Sequence, residues 1–373
     1  MSVTFHQPPR RILVRGVNWL GDAVMTTPAL RRLREKFPDA HITLLCADKI
    51  CPLFEPHPAV NETIPFAKGE GIFAIAKKLR AKNFDLALVL PNSPRSALEV
   101  FLAGIPQRIG HARPWRNFFL TQTVASRAGA VKMHKRAVAE IQKLVAQKPE
   151  ARSQKPEILK SAHQVHEYLH LAAALGASPE PLAPQLVVTP EEIAAVKLKF
   201  SLDKISQPIF GLNPGAEYGP AKRWPAEKFI AAAKEIQRQT SCAWLIFGGK
   251  GDMELAGRIA AEIHHSSFIV HNLSGQTSLP ELMALFKCCR VLLSNDTGPT
   301  HVAAALGTSV VVPFGSTAPE LTAPGLPGDA RHHLLKSDAV CAPCFLRECP
   351  IDFRCMNGIA VDRVVEAVIT AAR

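Results

Sequence analysis

The sequence predicts an α/β protein of two doubly wound domains facing one another across a cleft, and three observations carry that expectation. The chain has 373 residues, too many for one ordinary core and enough for two domains of roughly 150–200 residues. Strand-like and helix-like segments alternate, the pattern of parallel sheets covered by helices. The alternation fades, passes through a stretch punctuated by proline, and starts again, so the rhythm occurs twice.

RILVRG, residues 11–16, reads as the first strand. A turn at Leu20-Gly21-Asp22 then opens a helix whose apolar residues Met25, Leu30 and Leu33 recur at near-helical spacing. HITLLCA follows as a strand, GIFAIAKKLRAK as a helix, and FDLALVLP, residues 84–91, as the third strand. Residues 108–161 turn basic, with Arg108, Arg113, Arg116, Arg127, Lys132, Lys135, Arg136 and the run KPEARSQKPEILK, and are expected to form a loop-and-helix excursion rather than more sheet. HQVHEYLHLAAALGA closes the first half, and Pro181, Pro184 and Pro190 mark a linker. The expected domains are therefore residues 1–180 and 181–355, with a terminal helix in 356–373.

In the second half PIFGLNPGA, CAWLIFGG, VLLSNDTG and SVVVPFG read as strands with their loops, and AEKFIAAAKEIQRQ, GDMELAGRIAAEI, SLPELMALFKCC and THVAAALG as helices. These strands are apolar throughout, as strands covered on both faces must be. In such sheets ligands bind at the carboxyl ends of the strands, so chemistry is sought in the loops that follow them.

Composition narrows the function classes. At 47% hydrophobic and 20% charged residues the chain has the content of a packed protein and not of a disordered one. No apolar run approaches the roughly 18 residues of a membrane-spanning helix. The start, MSVTFHQPPRRILVRG, lacks the apolar region of a secretory signal, so a cytoplasmic location is expected. Forty-four basic against 32 acidic residues give a net charge of +12, which suits nucleic acid, anionic lipid or phosphorylated sugars. A nucleic-acid-binding protein is the competing class, but aromatic residues make up only 6%, with two tyrosines, and no base-stacking motif is present. Nine cysteines without a signal peptide are expected to be reduced thiols.

Five loops carry candidate chemistry. Asn18-Trp19-Leu20-Gly21-Asp22 joins the first strand to its helix, and Asp22 is there either as a helix cap or as a general base. Ser93 and Arg95 follow the third strand. In the second half, Asn213-Pro214-Gly215-Ala216-Glu217 leads to Lys222-Arg223-Trp224-Pro225, where Lys222 either offsets a departing phosphate or belongs to a solvated basic turn. Gly248-Gly249-Lys250-Gly251-Asp252 places Asp252 where it could meet a ribose hydroxyl. Asp296-Thr297-Gly298-Pro299-Thr300-His301 opens the helix THVAAALG, whose exposed N–H groups and dipole suit a diphosphate. Asp296 is there as a cap or as a ligand, and His301 as a buried helix residue or part of the site.

The turn after the first strand has no GxGxxG, and the chain has no GxxxxGK[ST], HExxH or GxSxG, so dinucleotide oxidoreduction, P-loop hydrolysis, zincin chemistry and serine-esterase chemistry all lose their main support. Cys341, Cys344, Cys349 and Cys355 crowd fifteen residues and read either as a zinc knuckle with irregular spacing or as thiols around a tight loop.

Together, ILVRGVNWLGDAVMTTPALRRLREKFPDAHITLLC, NPGAEYGPAKRWP, SNDTGPTHVAAALGTSVVVPFGSTAPELTAP and CAPCFLRECPIDFRCM resemble the heptosyltransferases of glycosyltransferase family 9. The resemblance spans most of the chain and is weakest at about residues 110–165. It implies a GT-B fold and inverting transfer of heptose from ADP-heptose to the heptosyl-Kdo2-lipid A inner core of lipopolysaccharide, with no cofactor or catalytic metal. On it, Asp22 matches the family's base and Lys222 the lysine on the diphosphate. Asp296, Thr297, Gly298 and His301 match the donor loop, with Gly215, Glu217 and Asp252 also on the donor; Asp252 stands where the family usually has glutamate. Asn18, Ser93, Arg95, Arg113, Arg116, Lys135 and Arg136 are expected on the phosphorylated lipid A-core acceptor, the basic stretch serving the acceptor, the inner face of the inner membrane, or simply solubility. A family transferase using another nucleotide sugar, or adding another core heptose, is the alternative.

Overall fold

Among the residues that the computed structural model describes, 7–147, 159–264 and 268–373, the apolar runs form two six-stranded parallel sheets. The chain divides into two units, Met1–Ala130 with Ser161–Val187, and Val131–Lys160 with Val188–Arg373.

The first unit holds β1 (Arg11–Arg15), β2 (His41–Ala47), β3 (Glu62–Phe66), β4 (Leu86–Val89), β5 (Gln107–His111) and β6 (Gln122–Val124), in the order β3-β2-β1-β4-β5-β6. The sheet grows from β1 toward β2 and β3, then reverses toward β4, so right-handed crossovers place the helices on opposite faces. Helix Thr27–Lys36 packs on Val165–Ala173, and Ile72–Arg80 packs on Pro94–Leu102. Ile12, Leu13 and Val14 of β1 are fully buried, which is why its sequence is apolar without alternation.

β5 and β6 correct the expectation that no sheet follows residue 108, and β3 was not anticipated either. The reason is their place: ETIPF, QRIGH and QTV lie at or near the sheet margins, are covered only in part, and so carry polar residues that hide the strand pattern.

The second unit repeats the winding with β7 (Ile209–Asn213), β8 (Ala243–Ile246), β9 (Val270–Asn272), β10 (Val291–Ser294), β11 (Ser309–Phe314) and β12 (His333–Lys336), in the order β12-β11-β10-β7-β8-β9. Trp224, Phe229 and Trp244 anchor its core with Phe210 edge-on to Trp244 at 5.8 Å. The last helix, Val361–Ala371, packs on Ala226–Thr240 within this unit.

The units part between Val187 and Val188, not after residue 180, and the described residues of 131–160, namely 131–147 with 159 and 160, group with the second unit, not the first. Pro190, read as linker, is the first residue of helix Pro190–Lys199, where its fixed φ and missing N–H cost nothing. The basic run KPEARSQKPEILK lies outside the described residues up to residue 158. Cys46 and Cys51 form a disulfide, against the expectation of reduced thiols throughout; the turn after β2 brings their Cα atoms to 5.8 Å, within disulfide range. No helix among the described residues is long and apolar enough to cross a membrane.

Each sheet reverses its winding between two adjacent strands, β1 and β4 in the first and β7 and β10 in the second. The crevice at the carboxyl ends of such a pair is where doubly wound sheets bind ligands. The candidate loops begin there.

Candidate active site

In the second unit the loops after β7 and β10 are tied together below the surface. Asn295, fully buried, donates from Nδ2 to the Pro214 carbonyl at 2.7 Å and accepts from the Trp224 N–H at 2.9 Å. Asn213 Nδ2 donates to Ser294 Oγ at 3.0 Å. These bonds fix the Lys222 turn against the Asp296 turn, although 74 residues separate Lys222 from Asp296.

Above that frame and largely buried, Lys222 Nζ lies 2.6 Å from Asp296 Oδ2, and Thr317 Oγ1 donates to the same oxygen at 2.6 Å. The Tyr218 ring sits 5.0 Å from the Lys222 ammonium, close enough for a cation–π contact. Asp296 is thus an acceptor for two side chains and not a helix cap: the helix Gly298–Ala305 has Thr297 at its N-cap, with no side-chain cap bond. His301 is buried beside them, and burial lowers its pKa to about 4, opposed by the Asp296 charge. It is therefore neutral at pH 7.

The cysteine-rich segment supports the Lys222 turn from the other side. Tyr218 Oη donates to the Phe345 carbonyl at 2.8 Å, the Ala221 N–H to the Arg347 carbonyl at 3.0 Å, and the Arg347 guanidinium lies 5.2 Å from the Tyr218 ring. Gly219 has φ 149°, and a Cβ there would sit 2.5 Å from the Arg347 oxygen, so the close approach requires glycine. Cys341 and Cys344 pack with Ile141, Cys349 Sγ accepts from the Phe353 N–H at 3.2 Å, and Cys355 joins the main core of the unit. Among the described residues no group of three or more His, Cys, Asp or Glu side chains that could hold a metal is found.

Asp252 is turned inward. Its carboxylate accepts from the Gly249 N–H at 3.1 Å, lies 3.6 Å from Arg223, and would meet a Cβ at Gly215 at 2.4 Å. Gly215 is what lets the two loops touch. Glu217 is exposed on the stretch leading to Lys222.

In the first unit, helix Leu20–Met25 has Trp19 at its N-cap and no side-chain cap bond, so Asp22 is not its cap but a half-buried residue of its first turn. Tyr168 is close by: burial pushes its phenol well above the ordinary value, and the Asp22 charge adds to the rise.

The loop that leads into the helix of Asp22 rests on a pair with no signal in the local sequence. Arg15, at the end of β1, is buried and pairs with fully buried Glu99 at 2.9 Å, while its Nη1 donates to Asn18 Oδ1 at 3.0 Å and to the Gly16 carbonyl at 2.6 Å. Asn18 is thereby engaged from below. Arg95 pairs with the other oxygen of Glu99 at 3.1 Å and reaches the Glu70 carbonyl. Ser93 caps helix Pro94–Leu102 by accepting from the Ser96 N–H.

The basic residues expected on the acceptor are not one exposed field. Arg116 is fully buried, donating from Nη1 to the Pro91 carbonyl at 2.7 Å, and burial lowers its pKa to about 10. Arg108 sits at the amino end of β5, away from the candidate loops, where it donates to the Phe119 carbonyl at 2.8 Å. Arg113 is partly exposed and donates to Ser126 Oγ at 3.0 Å. Lys135 and Arg136 belong to the second unit; Lys135 is exposed, and Arg136 donates to the Val340 and Cys341 carbonyls at 3.3 and 3.1 Å.

The sequence pattern of glycosyltransferase family 9 (heptosyltransferase) matches residues 72–353. The chain is 33% identical over 322 residues to lipopolysaccharide heptosyltransferase 2 of Escherichia coli strain K12, covering 84% of this chain and 85% of that one. It is likewise 33% identical over 330 residues to lipooligosaccharide heptosyltransferase 2 of Haemophilus ducreyi, covering 84% and 86%. Among solved structures, that of the E. coli ADP-heptose lipopolysaccharide heptosyltransferase II superposes with a TM-score of 0.75 at 29% identity, covering 97% of this chain and 98% of that one.

Proposed function

The chain belongs to glycosyltransferase family 9, the heptosyltransferases, and from that premise we propose that it moves heptose from ADP-heptose onto the heptosyl-Kdo2-lipid A inner core of lipopolysaccharide. The two sheets and their winding are those of the GT-B fold. The observation that carries the donor half is the Lys222–Asp296–Thr317 cluster at the switch point of the second sheet, beside the start of helix Gly298–Ala305.

An ammonium has three donors, and Asp296 engages one, so Lys222 is aimed without being exhausted. In this reading it meets the diphosphate with the N–H groups of Thr297 and Gly298, and its positive charge stabilises ADP as the glycosidic bond breaks. Gly215, Glu217 and Asp252 complete the donor side toward the ribose, and neutral His301 packs beneath.

Asp22 is the proposed base. It takes the proton from the acceptor hydroxyl as that oxygen attacks the anomeric carbon opposite the leaving ADP, which inverts the centre in one displacement. Charge neutralisation falls to Lys222 and the helix terminus, so no metal cofactor is assigned a step. Arg95, Arg113 and Lys135 are the candidates for the acceptor's carboxylates and phosphates, with Asn18 held ready by Arg15. The lipid-linked acceptor places the enzyme at the cytoplasmic face of the inner membrane as a peripheral protein, and no nucleic-acid partner is proposed.

The test is incubation of the purified protein with ADP-heptose and defined core acceptors, followed by mass spectrometry. A product heavier by one heptose on the heptosyl acceptor is expected. Transfer from a UDP-sugar instead, or onto an acceptor lacking the first heptose, would overturn the assignment.

A further inference from the structure

The loop Ala112–Thr121 inverts the ordinary polarity of a protein surface. In Pro114-Trp115-Arg116-Asn117-Phe118-Phe119-Leu120 the charged residue, Arg116, points inward and is fully buried, while Trp115 and Phe118 are 88% and 83% exposed. Large aromatic residues exposed together beside buried charge mark an interaction surface more often than chance solvent exposure.

The outward pose is built and not slack. Arg116 ties the loop to the Pro91 carbonyl, Asn117 Oδ1 accepts from the Arg113 N–H at 2.8 Å, and the Phe119 carbonyl accepts from Arg108. Trp115 has φ 63°, a left-handed backbone that bulky residues avoid and that persists only where its surroundings impose it.

The exposed rings continue into a patch. Phe118 lies 5.6 Å from Phe119 and 6.4 Å from Phe101, and Phe119 lies 5.5 Å from Phe101, the last two distances measured across from helix Pro94–Leu102. Cations border these rings: the Arg108 guanidinium is 5.3 Å from the Phe101 ring, and Arg80 donates to the Leu102 carbonyl at 2.6 Å.

We infer that this patch, Phe118, Phe119 and Phe101 with Trp115 on the same loop and Arg108 and Arg80 at its border, is where the protein docks on an anionic phospholipid bilayer. Aromatic rings beside arginine suit the headgroup zone, where the ring enters the acyl boundary and the guanidinium stays with the phosphates. A net charge of +12 adds attraction toward an anionic leaflet. The assignment rests on the lipid-linked acceptor proposed above. It differs from the expectation that the run of basic residues alone makes the contact, since Arg116 is buried and Arg136 is bound to the cysteine loop.

The experiment is co-sedimentation of the full chain, without donor or acceptor, with vesicles of phosphatidylethanolamine and phosphatidylglycerol or of phosphatidylcholine alone. The wild type is expected to pellet with the anionic vesicles, less so in high salt, and the Trp115→Ala, Phe118→Ser double variant to bind at least about tenfold more weakly with unchanged circular dichroism. Trp115→Phe should still bind but lose most of the blue shift in tryptophan emission, measured in a Trp19→Phe background, because Trp19 is half exposed while Trp224 and Trp244 are buried. Transfer to a deacylated acceptor should be the same for wild type and double variant; loss of that transfer in both would count against the proposed function and leave the docking result standing. Equal pelleting of wild type and double variant, or no pelleting of either, would overturn the inference. So would a wild-type dimer in sedimentation that the double variant dissociates, which would give the patch to a second copy.

Discussion

Lys222 owes its position to residues far away in sequence, and this makes single substitutions informative. Gly219→Ala forces a Cβ to 2.5 Å from the Arg347 oxygen at φ 149°, so the Lys222 turn must move. ADP affinity, read by titration calorimetry, is expected to fall about tenfold or more, since small displacements of positioned groups are costly; an unchanged affinity would mean that the turn does not position Lys222. Glu99 offers a second case. Removing its carboxylate in Glu99→Ala leaves Arg15 buried without its partner, which costs about 3–5 kcal/mol. Urea unfolding should show the loss, and a variant as stable as wild type would count against the pair's role beneath the Asn18 loop. The loops of Lys222 and Asp296, which meet in the structure, were singled out in the sequence because they follow apolar strands in glycine-containing turns, the same pattern that singled out Asp22. Arg15 and Glu99 were not, because a salt bridge between a strand and a helix 84 residues on has no local pattern. Thr317 could have been found by the same rule that found Asp296, since it follows apolar β11.

At the scale of elements, the central strands and the long amphipathic helices were readable, and the marginal strands were not. β1, β7 and β10 are covered on both faces and therefore apolar, whereas β5 and β6 have polar residues that burial does not forbid. Helix Pro190–Lys199 was hidden because its proline looked like linker punctuation, although Thr189 and Glu192 spell a capping box. That box yields a prediction at this scale: Thr189→Ala removes the side chain that accepts from the Glu192 N–H at 3.2 Å and should cost about 1 kcal/mol in urea unfolding. No change would show that the box adds nothing to the helix. The Arg15–Glu99 pair, the Asn295 bridge and the Arg347 contact share a logic: each joins elements of one unit beneath a loop that carries a candidate residue.

For the molecule as a whole, acid should be the sensitive direction. Burial lowers the pKa of His57, His111, His301 and His332 from 6.5 to about 4. Between those values the unfolded chain binds protons that the folded protein refuses, so stability falls as pH drops from about 6.5 toward 4 and recovers as it rises. Tm measured from pH 7.5 down to 4.5 should decline over that window; a flat profile would mean that these histidines are not buried as described. The same winding repeated in two units gives each a switch-point loop, one bearing Asp22 and the other Lys222 and Asp296, and the division of labour between base and donor cradle is the central claim. Asp22→Ala tests it most directly, with turnover of ADP-heptose and ADP binding measured on the same preparation. Turnover is expected to fall by roughly 10²–10⁴-fold with ADP affinity unchanged within about twofold. Turnover close to that of the wild type would contradict it.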